Sequence, residues 1–191
     1  MSEAQREALE KLRESIKNVS QMNREYWEKF SSFDTWQFWV CLTMLLIPLF
    51  IILWRIDRKR IFQVGFFGYG VHVWTNYIDN LGVLNGWWEY PYKAFPFLPV
   101  SFILDASIIP VAYMLVYQWC LNEHRNRYLY LILLSAAFAF VIKPIMTLLH
   151  LFKYYEWVNY GYIFIAYLLL CFLSLWTTDL FSYLQRKAKS E

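Results

Sequence analysis

The sequence predicts an all-α fold: a polytopic transmembrane bundle of five spans, preceded by an amphipathic, heptad-patterned helix. Three observations predict it. Hydrophobic residues make up 59% of the 191 positions, above the roughly 45–50% of soluble domains. The charges gather in residues 3–34, 55–60, 123–127 and 186–191. Between them lie apolar runs of about 20 residues, the length that crosses roughly 30 Å of hydrocarbon.

The remaining composition narrows the class. The formal charge of +3 lies in short loops beside apolar runs, where positive-inside bias places it, and does not point to nucleic acid. Cys41, Cys120 and Cys171 show no paired or metal-type spacing and read as small core residues. The first apolar stretch starts only near Trp36, behind a long charged segment, so no secretory signal peptide is expected.

Residues 1–33 form the first unit. Leu9, Leu12, Ile16, Val19, Asn23, Tyr26, Phe30 and Phe33 alternate by three and four, as in a heptad seam with one polar interruption. Two readings are open. One is a coiled coil, by self-association or with a partner helix, in which Asn23 fixes register. The other is an amphipathic helix lying on the bilayer or on the bundle. Asp34-Thr35-Trp36-Gln37 has the capping-box pattern that starts a new helix.

The membrane domain is expected over residues 34–182, with spans at about 36–54, 61–79, 98–119, 128–152 and 160–180, and a basic tail at 183–191. Trp36 and Trp54 anchor the first span at both interfaces. In the second, Gly65, Gly68, His72, Asn76 and Asp79 step by three and four and share one helical face. Glycines there permit close helix contact, and the polar groups extend the stripe toward one surface. The loop from Asn80 to Pro99 is dense in aromatics and prolines, which suits a rigid, partly re-entrant cover at the headgroup layer. Its Glu89 is either a ligand carboxylate or simply solvated.

Spans three and four carry the costly residues, Asp105 and Lys143. An intramembrane lysine costs about 2.5–3.5 kcal/mol on insertion scales, and Pro144 beside it withholds one helical N–H. Ala136, Ala139, Lys143, Thr147 and His150 repeat the spacing of the second span. At about 1.5 Å per residue, His72, Asp105 and Lys143 fall in one layer roughly 10–13 Å below one surface, with Asn76, Asp79, Thr147 and His150 above them. Asp105 is the expected partner of Lys143, as an ion pair that either floors a ligand pocket or locks the bundle. His72, Asp79 and His150, with Glu89, form a weak metal set that Lys143 opposes. No cofactor is expected.

Lys/Arg counts give the orientation. The segments 55–60 and 120–127 and the tail hold nine basic residues, against Lys93 and Lys153 on the other side. The basic side, with the C-terminus, is expected to be cytoplasmic and the N-terminal helix outside.

Three stretches carry a resemblance: Trp88-Glu89-Tyr90-Pro91, Leu98-Pro99 through Leu104-Asp105, and Ile109-Pro110-Val111-Ala112-Tyr113-Met114-Leu115-Val116-Tyr117-Gln118. Over roughly residues 40–180 the chain resembles a family of uncharacterised small multi-pass membrane proteins from Gram-positive endospore-forming bacteria. The resemblance implies a bacterial plasma-membrane protein of about five spans and brings no catalytic residues.

Three functions fit these features. The first is a non-enzymatic bundle that binds a partner or ligand through a polar pocket in the outer half of the membrane. The second is a proton-linked or small-solute transporter acting as an oligomer. The third is a metal-dependent lipid hydrolase, for which the chain lacks paired-histidine spacing.

Overall fold

The structure is a computed structural model that describes residues 1–98, 102–155 and 157–188. Pro99 in the cover loop and Lys189 in the tail lie outside the described residues. Seven helical segments appear: α1 (Glu3–Phe30), α2 (Trp36–Arg55), α3 (Ile61–Leu84), α4 (Ile109–Asn122), α5 (Arg127–Ala137), α6 (Lys143–Leu148) and α7 (Tyr160–Ala188). A π turn at Leu104–Ile108 leads into α4, and a second at Phe138–Ile142 joins α5 to α6. Among the described residues four helices are long and apolar enough to cross a membrane: Trp36–Arg55, Leu104–Asn122, Arg127–Leu148 and Tyr160–Ala188. These make a multi-pass helical bundle.

Short-range chemistry sets the ends. Ser2, Thr35 and Asn126 cap α1, α2 and α5 by accepting from first-turn amides. The cap of α2 is therefore Thr35, one residue later than the capping-box pattern places it. Three helices finish in the same way. Gly86, His124 and His150 take positive φ at +69°, +51° and +56°. The next amide in each case reaches back five residues, Trp87 to Gly82 at 2.9 Å, Arg125 to Cys120 at 2.9 Å and Leu151 to Met146 at 2.8 Å. This left-handed closure satisfies otherwise orphaned carbonyls.

These caps move three boundaries. α3, the expected second span, runs past Asp79 to Leu84, so Asp79 lies more than a turn inside it. The fourth span stops at Leu148 rather than Phe152, because His150 turns the chain. α7 continues to Ala188, so most of the basic tail is helix.

The chain runs up and down. α3 occupies the middle, packed on α7 and α4, and buries Val64, Phe67, Gly68, Val71, Thr75, Asp79 and Gly82 along its length. Gly68 meets Met114 so closely that an added Cβ would fall 2.2 Å from its sulfur, whereas Gly65 faces open space. Only one of the two expected contact glycines is thus at a helix interface. At one end of the bundle, β1 (Trp88–Glu89) pairs antiparallel with β2 (Lys153–Tyr154), Trp88 opposite Tyr154 and Glu89 opposite Lys153. This small ladder ties the aromatic loop to the α6–α7 connection as a cover. At the other end, Arg127 and Asp179 pair at 2.7 Å, and Gln118 bridges the Arg55 carbonyl and the Asp57 amide at 2.9 and 2.7 Å.

α1 stands apart. None of its residues is buried. Its last turns are bolted to the cover: Trp27 Nε1 donates to the Lys93 carbonyl at 2.9 Å, and Lys93 Nζ donates to Asn23 Oδ1 at 3.0 Å. Asn23 is thereby used within the chain.

Candidate functional site: a closed polar core beneath the cover

Lys143 is buried, with 4% of its surface exposed. The π turn before it widens the helix by one residue, so Phe138, Ala139 and Lys143 all face inward. The ammonium donates at 2.7 Å to the Tyr90 hydroxyl and lies 3.8 Å from the centre of the Phe152 ring and 4.6 Å from that of Tyr90. The Tyr90 hydroxyl lies 2.8 and 3.0 Å from the two Asp79 oxygens and donates its single proton there. Trp88 Nε1 donates to the same carboxylate at 3.0 Å. The result is a relay, Lys143 to Tyr90 to Asp79, with Trp88 as a second donor. Burial first, then the Asp79 and Asp105 charges, push the Tyr90 hydroxyl well above its usual range, so it remains a donor.

This arrangement corrects the expected pairing. Asp105 is fully buried and acts on Lys143 by its charge, while the hydrogen bond of the Lys143 ammonium goes to Tyr90. The carboxylate that Lys143 reaches, through Tyr90, is Asp79. The physical reason is the fold of the cover. Trp88 and Tyr90 turn inward from the loop and insert their polar tips between α3 and α6, where depth counting along helices has no way to place them.

The backbone carbonyl of Asp105 has its own role. In the π turn the Ile109 amide bonds to the Leu104 carbonyl, so the next amide in the pattern is that of residue 110, a proline with no N–H. His72 Nδ1 takes up the vacancy, 2.7 Å from the Asp105 oxygen. His72 therefore satisfies a proline-freed carbonyl.

The other candidates divide. Asn76 bonds within its own helix to Asn80 at 2.9 Å. Thr147 donates back to the Lys143 carbonyl at 3.0 Å and accepts from Tyr160 at 3.3 Å. His150 is exposed and serves as a left-handed helix terminator, apart from the polar core. Glu89 is exposed at the outer side of the cover, where it accepts from the Tyr155 hydroxyl. Among the described residues no three His, Cys, Asp or Glu side chains are grouped to hold a metal ion, and His72 and Asp79 have separate partners.

The core is closed. Asp79 is 8% exposed, and the cavity bounded by Thr75, Asp79, Lys143 and Tyr167 holds about 30 Å³, enough for one water. Tyr90, Trp88 and Phe152 were the residues that motif reading missed. For Trp88 and Tyr90 the signal was a loop whose aromatics carry polar tips next to prolines. No protein-family model, no curated protein and no solved structure matches this chain.

Proposed function

We propose that this is a five-span bacterial plasma-membrane protein that acts by binding rather than catalysis, and that its binding element is α1, pairing with the α1 of a second copy. The observation that carries this reading is the unpartnered seam. Leu9, Leu12, Ile16 and Val19 are 49%, 56%, 61% and 51% exposed, although the same helix is firmly anchored at its other end. A second helix fits this seam better than a lipid surface. The polar face of α1 carries six Glu against six Lys and Arg, whereas helices that lie on anionic bilayers carry a basic excess.

α3 supplies the fifth span. Its polar residues turn inward to Asp105 and to the cover, while Phe62, Tyr69, Tyr77 and Leu81 face outward. The basic residues of 55–60, 123–127 and the end of α7 put that end in the cytoplasm, and the cover with α1 outside. The resemblance to endospore-former membrane proteins agrees with this location. The closed polar core acts as a lock holding the cover on the helices.

Crosslinking in membranes tests the pairing. The full chain should give a dimer that Ile16→Glu abolishes while leaving the melting of the membrane domain unchanged. Monomers alone, with or without residues 3–30, would sink the proposal.

A further inference from the structure

Between the C-terminal half of α1 and the outer side of the cover lies an open cleft of about 340 Å³, within the size range of small-ligand sites. Asn23, Tyr26, Trp88, Glu89, Lys93 and Tyr155 are among the residues that line it. Two opposite charges thus face one space, Lys93 on one side and Glu89, with Lys153 opposite it in the ladder, on the other. Lys93 is half-buried, and among the described residues its ammonium donates to the neutral amide of Asn23 at 3.0 Å. No carboxylate lies within ion-pair distance of it among the described residues. Burial pushes its ammonium below the usual lysine range. A half-buried ammonium with spare donors is a site for an anion.

Glu89 gives the other half. Its carboxylate accepts from the Tyr155 hydroxyl and stands among the tyrosines of the cleft. A carboxylate bordered by aromatic faces favours an organic ammonium, through charge and cation–π attraction. The two residues are separated by the rigid Tyr90-Pro91-Tyr92 link, so their Cα atoms stand at most about 14 Å apart.

We propose that this cleft binds a small zwitterion, with its ammonium at Glu89 and its anionic group at Lys93. Two sources carry that chemistry: a free amino acid, and the ethanolamine phosphate head group of a lipid. The site is independent of α1 pairing, because the paired seam would use Leu9 to Val19 and the cleft uses the last turns.

The test is calorimetric titration of the full-length protein in nanodiscs of phosphatidylglycerol, using glycine and O-phosphoethanolamine as probes. At least one probe should bind. Its affinity should fall tenfold or more in both Glu89→Gln and Lys93→Gln, each of which keeps a polar side chain in place. Phosphate alone and ethanolamine alone should bind at least tenfold more weakly than the zwitterion. Repeating the titration in phosphatidylethanolamine nanodiscs separates the sources. Loss of the signal there identifies the lipid head group, and an unchanged signal identifies the free solute. Binding of neither probe, single-charge compounds binding as well as the zwitterion, or affinity unaffected by both variants overturns the proposal.

Discussion

Tyr90→Phe removes one oxygen and tests the polar core directly. That oxygen accepts from Lys143 at 2.7 Å and donates to Asp79 at 2.8 Å, so the substitution breaks two bonds to charged groups. Such bonds contribute about 1.5–3 kcal/mol each, and an ion left buried without its partner raises the cost toward about 3–5 kcal/mol. Two contacts limit the damage: Phe152 still faces the ammonium at 3.8 Å, and Trp88 still donates to Asp79. The expected loss is therefore about 3–5 kcal/mol. Tyr155→Phe, which removes a bond on the exposed side of the same cover, should lose less than about 1 kcal/mol. Equilibrium unfolding in mixed detergent and SDS micelles, followed by tryptophan fluorescence, reads both. In a Lys143→Met background the Tyr90→Phe loss should shrink by at least about 1 kcal/mol, because the charge that needed the hydroxyl is gone. A single-variant loss under 1 kcal/mol, or strict additivity in the double variant, would refute the relay.

Two further outcomes follow from the packing. An alanine methyl at Gly82 would fall 2.0 Å from the Trp88 ring, so Gly82→Ala must push Trp88 off Asp79 and should destabilise by about 1–3 kcal/mol, whereas Gly65→Ala, facing open space, should be neutral or slightly stabilising in the same melt. His72→Leu should cost about 1–3 kcal/mol by stranding the Asp105 carbonyl, and Pro110→Ala, which restores an amide, should recover much of that loss; an unrelieved double variant would mean that His72 acts elsewhere.

What was legible in the sequence was whatever the bilayer dictates by itself. Apolar run lengths located the helices, and Lys143 declared itself as a residue in need of a partner. Proline and aromatic density between residues 80 and 99 marked a cover. What was not legible came from irregular backbone and from the loop. A π turn shifts the inward face by one residue and leaves no composition signal. The extension of α3 to Leu84 turns on Gly86 as its terminator, so Asp79 moved from the surface into the core. His150 continues the polar spacing of α6 on a helical wheel, yet the chain has already left the helix there. Above all, Tyr90 reaches Lys143 across 53 positions from a segment with no periodicity to count.

That separation has a direction along the chain. Asp79, Trp88 and Tyr90 all precede Lys143, as does Asp105. During synthesis the polar groups are therefore made before the lysine that requires them, and the costliest residue enters last among the polar members of its network. Only Phe152 and α7 remain to close over it. An N-terminal fragment ending before Lys143 leaves Asp79 without its cation, whereas the lysine never meets the bilayer with its polar partners still unmade.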